Sequence, residues 1–179
     1  MILLGILASA GVAKAQDFKG QYVGKDPCKL DLKGEYGDFS LRLDKTRNSE
    51  LRSLDMGKTT IVMIIEYKES TACGVIRDVV QIRHLGKRMH PEFRCFDAQT
   101  PTDVVVGAVV REYGNVKLLN ATDAWRIDLK EQKFVEVHHK VVCSADGWGG
   151  EDDGSDLADE AKKYAAHHKP GQFGPESKH

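Results

Sequence analysis

The sequence predicts a mainly β domain, an antiparallel sandwich or partly closed barrel followed by a short C-terminal helix. Three observations carry this expectation. Several segments alternate or are dense in β-branched residues, as in Phe39-Ser-Leu-Arg-Leu-Asp44 and Ile61-Val-Met-Ile-Ile-Glu-Tyr67. Turn-type clusters such as Gly34-Glu-Tyr-Gly-Asp38 and Asn120-Ala-Thr-Asp123 separate them. The 17 glycines stand against only 7% aromatic residues, which fits a turn-rich chain with a modest core.

The 179 residues are 41% hydrophobic and 30% charged, enough for one domain with a real core. A formal charge of -1 leaves no overall electrostatic footprint for nucleic acid. No apolar run reaches the ~20 residues that a membrane span needs, so no integral membrane segment is expected after leader removal. The division expected is a signal peptide over 1–15, a β domain over 16–143, and a tail over 144–179.

The leader rests on the apolar run from Ile2 to Ala10, with Ala13-Lys-Ala15 supplying small residues at a cleavage site. No Lys or Arg precedes the apolar run, which departs from the usual pattern. Export to a secreted or periplasmic location makes the four cysteines candidates for two disulfides. Three connectivities are possible; the one favoured is Cys73–Cys95 as a local loop, with Cys28–Cys143 tying the ends. Structural zinc is disfavoured, because such sites bring ligands in close pairs. No metal and no cofactor is expected.

In chain order, Gly20 to Pro27 reads as an irregular lead-in. Cys28 to Lys33 and Phe39 to Asp44 read as a hairpin around the loop 34–38. Lys45 to Met56 reads as a polar loop. Gly57-Lys-Thr-Thr60 resembles the end of a phosphate-binding loop, but Arg52 stands where that motif needs glycine, and a β-branched strand follows instead of a helix. It is a turn before the strand Ile61 to Tyr67. Gly74 to Arg83 fits a helical stripe or a strand, and its branched residues favour the strand. Phe93 to Phe96 is a short strand, and Asp97 to Thr102 a loop.

Asp103 to Cys143 then reads as a β meander. Val104 to Tyr113 is apolar on both faces apart from its end, and is expected centrally in a sheet or between two layers. Gly107 within it marks a bulge or a close backbone approach. Gly114-Asn115 suits a type II′ turn leading to Val116–Leu119. Trp125, Ile127 and Leu129 share one face, with Trp125 as a core anchor, and Phe134 to Cys143 is the last strand. In the tail, 144–150 is glycine-rich and 151–156 acidic. Leu157 to His168 reads as a helix capped by Asp156 and stopped by Pro170-Gly171, with disorder expected beyond.

The main functional candidate lies between the middle cysteines. Arg83, His84, Lys87, Arg88 and His90, with Arg77 and Arg94 nearby, gather donors suited to an anionic or acidic protein partner. The expected function is a non-enzymatic exported binding module. The alternatives are a hydrolase-like enzyme using Asp128, Glu136 and His138 on the last hairpin, and an envelope structural protein. The acidic turn around Gly154 fails as a calcium loop, because Gly149 occupies the first ligand position. The seven histidines include the adjacent pairs His138-His139 and His167-His168, neither spaced for joint chelation. Asn120-Ala-Thr122 is a glycosylation sequon whose relevance depends on the secretory route.

Overall fold

The structure is a computed structural model that describes residues 18–30, 35–68, 73–84, 89–97, 99–110 and 118–144, together with 158, 159, 162 and 166. The signal peptide expected over 1–15 lies outside the described residues, as does most of the tail.

Two antiparallel sheets form the molecule, and they do not close into a barrel. The first has the order β1 (Glu35–Asp44), β2 (Ser49–Asp55), β3 (Thr59–Glu66), β4 (Val75–Arg83). The second contains β5 (Met89–Phe96), β6 (Val105–Val110), β7 (Leu118–Asn120), β8 (Asp123–Asp128), β9 (Lys133–Val137) and β10 (Val142–Ser144), in the order β7-β10-β5-β6-β8-β9. β1 to β4 is a simple meander. In the second sheet β10 inserts between β7 and β5, so the last described strand pairs with one from the middle of the chain.

The run Ile61–Ile65 is apolar at every position because β3 is covered on both faces. Val62 and Ile64 face the other sheet, packing with Leu51, Val80, Phe93, Val106, Ile127 and Phe134. Ile61, Met63 and Ile65 face outward into a second cluster with Leu54, Ile76 and Val79. The N-terminal segment covers that outer cluster. Residues 18–22 are helical, which sets Phe18 and Tyr22 one turn apart with ring centroids 5.3 Å from each other, and both pack on it with Leu30. Burying each such aliphatic side chain contributes roughly 1.5–3 kcal/mol.

The same segment hydrogen-bonds to the edge of β4. The Gly24 N–H donates to Ile76 O (2.8 Å), and the Ile76 N–H donates to Lys25 O (3.0 Å). Next to this pairing, the β3–β4 register slips between Ile64 and Ile65, which turns Ile76 into the outer cluster, while Asp78 keeps the face of Val80, towards the second sheet. Asp78 is 4% exposed there. It accepts from Lys19 Nζ (2.7 Å) and from the Phe134 N–H of β9 (2.9 Å), joining both sheets and the N-terminal segment.

Several expectations are corrected. The disulfides are Cys28–Cys73 and Cys95–Cys143, not Cys73–Cys95 and Cys28–Cys143. The reason is topological: β10 pairs with β5 so that Cys143 faces Cys95 directly, while Cys28 rides on the segment laid against β4, beside Cys73. Residues 49–55 form β2 and not a loop. Pro27–Lys29 is a 3-10 turn, and β1 pairs with β2, not with a strand over 28–33. Among the described residues β7 pairs with β10, and β6 with β5 and β8; the turn expected at Gly114-Asn115 lies outside the described residues. The expected last strand is split into β9 and β10 by residues 138–141. The C-terminal helix is not confirmed; the helical turn described over several consecutive residues lies at the N-terminal side. In the tail, Ala158 is buried in the core between the sheets and Asp159 pairs with Lys45 Nζ at 2.6 Å.

Other expectations hold. β3 and β4 are strands, Gly57 sits in a turn at φ 81°, and Trp125 and Leu129 pack beside Ile127 against the main core. Gly107 is a close backbone approach: a Cβ there would lie 2.5 Å from Cys143 Sγ and 2.8 Å from Cys95 Sγ.

Candidate functional site

The β4–β5 connection carries the chain from one sheet to the other, and the predicted basic residues lie along it. Arg83 ends β4 and is exposed. Lys87 and Arg88 fall outside the described residues. His90 lies on β5 opposite Val109 and is half-buried. No disulfide closes this excursion on itself, because Cys73 bonds to Cys28 and Cys95 to Cys143. Antiparallel pairing with β3 brings it together with the β2–β3 turn instead.

His84 makes that junction. Its Nδ1 lies 3.0 Å from Gly57 O and its Nε2 3.0 Å from Thr60 Oγ1, while its own N–H donates to Lys58 O at 3.0 Å. A carbonyl only accepts, so Nδ1 carries the proton in the neutral ring and Nε2 accepts from Thr60. With both nitrogens engaged, His84 is a strut that holds the turn.

Arg83 faces Thr59 across the β3–β4 ladder, and Lys58 precedes Thr59. The two cations therefore occupy neighbouring strand ends, both exposed, and neither has a carboxylate partner among the described residues. Met56 stands two residues before Lys58 in the same turn and is 37% exposed. Several described cations are engaged, Lys19 by Asp78, Lys45 by Asp159, Arg52 by Glu50 and Arg77 by Glu66, whereas the exposed Lys25, Lys133 and Lys140, like Arg83 and Lys58, have no carboxylate partner among the described residues. Arg83 was legible from sequence, but Lys58 was missed, because only the ladder register brings its backbone next to the end of β4.

The hydrolase candidates have divided roles. Asp128 Oδ1 accepts from the Lys130 and Glu131 N–H groups, both at 3.0 Å, so it caps the β8–β9 turn. The Glu131 bond, set against partial desolvation and supported by the Lys130 bond and the charges of Arg126 and Lys130, holds its carboxyl below the ordinary value. Glu136 and His138 approach each other at 3.9 Å with side chains 63% and 80% exposed.

A better-built carboxylate–imidazole pair was not visible in the sequence. Asp97, 2% exposed just after β5, accepts from the Gln99 N–H (2.8 Å), Thr100 Oγ1 (2.9 Å) and His139 Nε2 (2.6 Å). Burial pushes its pKa up, but the Gln99, His139 and Thr100 bonds outweigh that, and the carboxyl lies below its ordinary value. His139 sits past β9 with its side chain 35% exposed. The pair fixes the loop between β9 and β10. A second polar cluster joins Tyr67, Glu50 and Arg52 on the outer side of the first sheet. There burial and the Glu50 carboxylate push the Tyr67 hydroxyl up to about 12.

Among the described residues, the grouping with metal-compatible spacing is Asp26, Cys28 and Cys73. The acidic turn at 151–156, His167 and His168 lie outside the described residues. Among the described residues no helix is long and apolar enough to cross a membrane. No protein-family model, no curated protein and no solved structure matches this chain.

Proposed function

We propose that the chain is an exported, non-enzymatic binding module that takes an anionic partner at the end of the four-stranded sheet. The observation that carries this reading is the pair Arg83 and Lys58, exposed on neighbouring strand ends and free of described carboxylates. Leaving cations without internal partners keeps their donors available to an incoming phosphate, sulfate or carboxylate. Lys87 and Arg88 follow in sequence and add charge to the same connection. His84 supplies rigidity, and the exposed Met56 supplies an apolar contact beside the charges. Two disulfides fit an oxidising compartment. The hydrolase reading draws less support, because Asp128 is committed to its turn.

The test is capture on a sulfated-polysaccharide column, with inorganic phosphate as a competing probe. The native chain is retained at low salt and released as salt screens the contact. Arg83→Glu with Lys58→Glu lowers retention about tenfold or more, while circular dichroism stays unchanged; each lost charge-assisted contact is worth roughly 1.5–3 kcal/mol. Equal retention of native and double variant discards the reading, and leaves the structural-protein alternative to be tested.

A further inference from the structure

The segment over 18–30 is tied to the first sheet at a point where three metal-binding groups converge. Asp26, Cys28 and Cys73 place a carboxylate oxygen and two sulfurs all within 4.8 Å of one another. The two sulfurs form a bridge. Cys28 is exposed and Cys73 half-buried, whereas Cys95 and Cys143 are 3% and 0% exposed. Disulfide exchange requires a thiolate to reach a sulfur, so a dithiol attacks Cys28–Cys73 first.

We propose that Cys28–Cys73 is a reducible bridge whose reduced form, together with Asp26, binds one thiophilic divalent cation of the zinc type. A dithiol, protein-borne or small, gives two electrons and two protons and becomes a disulfide as the bridge opens to two thiols. The cation then displaces both protons and takes two thiolates and one carboxylate oxygen, with water in the fourth position of a tetrahedral set.

The site survives opening of the bridge because other bonds hold the segment. Gly24 and Lys25 pair with Ile76, Lys19 pairs with Asp78, and Phe18, Tyr22 and Leu30 stay packed on the outer cluster. Asp26 is also preset: its Oδ1 accepts from the Cys28 N–H at 2.9 Å, which orients the carboxylate towards the first sulfur. The metal thus takes over the tether that the disulfide provided. Soft thiolate ligands select zinc-like ions over calcium or magnesium.

Limited reduction followed by alkylation and peptide mapping labels Cys28 and Cys73 before Cys95 and Cys143. Zinc added to the reduced chain, after removal of the reductant, binds at one ion per chain by native mass spectrometry, while the oxidised chain takes none. Asp26→Asn keeps both cysteines and weakens zinc about tenfold or more, since even supporting groups around a metal matter by that factor. Circular dichroism of the reduced chain retains its β signal. Earlier labelling of Cys95 and Cys143, no uptake by the reduced chain, equal uptake by both redox forms, or unchanged affinity in Asp26→Asn each overturns the assignment.

Discussion

Replacing Asp97 with Asn tests how much one buried carboxylate contributes. Its three donors come from Gln99, Thr100 and His139, and the last spans 42 positions of sequence to anchor the β9–β10 loop. The side-chain oxygen of Asn still accepts from nearby N–H and O–H groups, so the variant mainly loses charge assistance, about 1–3 kcal/mol. The pH dependence has a definite sign. The folded chain holds the Asp97 carboxyl below its ordinary value, so folding favours the charged form. That contribution is complete above the unfolded-state value of ~3.9 and is lost as pH falls through the lower folded one. Urea unfolding of the native chain and Asp97→Asn is therefore expected to differ most near neutrality and to converge in acid. A gap that stays constant with pH would show that Asp97 contributes through packing alone. The pair was invisible in sequence because nothing local marks Asp97 and His139 as neighbours. Adjacent histidines read as strand residues on opposite faces, yet both lie beyond the end of β9.

At the scale of single elements, Gly107 and Gly57 separate two reasons for glycine. Gly57 has φ 81° with open space where a Cβ would go, so Gly57→Ala meets backbone strain alone, roughly 1–2 kcal/mol. Gly107 has ordinary strand geometry, but a methyl would lie 2.5 Å and 2.8 Å from the two sulfurs of the buried bridge. Gly107→Ala must displace β6 from that bridge, at about 1–3 kcal/mol or more. Thermal melts are expected to show both losses. Breaking the Cys95–Cys143 bridge should ease the loss in Gly107→Ala and leave that in Gly57→Ala as it was. An undiminished Gly107→Ala loss without the bridge would mean that the sulfurs are not what excludes the methyl. Gly107 was readable because a glycine inside an apolar strand is locally out of place. β2 was not: Leu51 and Leu54 are three apart, so they face opposite sides of the sheet and show no alternation. Its strand character comes from pairing with β1 and β3, which no short window contains. Lys58 escaped notice for the same reason, since its nearness to the end of β4 is a property of the β3–β4 register.

The two disulfides act on the whole molecule, and their pairing depends on strand order. Wide cysteine spacing makes bridges readable as a set, but Cys143 meets Cys95 only because β10 enters between β7 and β5. Oxidising conditions leave that choice open, and folding decides it. The resulting loops, with sequence separations of 45 and 48, do not overlap, so each restricts a different part of the unfolded chain. The chain-entropy model gives about 4 kcal/mol for each. The native-state terms differ. Cys95 and Cys143 belong to a buried cluster with Val105, Leu119 and Val141, so Cys95→Ala with Cys143→Ala also removes packed sulfur from the core. Cys28→Ala with Cys73→Ala removes sulfur from a partly exposed position. The core pair is therefore expected to lower stability by more than the outer pair. The quadruple variant should lose the sum within about 0.5 kcal/mol, provided it still folds. Equal losses for the two pairs, measured by urea unfolding under one set of conditions, would mean that chain entropy alone sets the effect and that the buried sulfurs add nothing by packing.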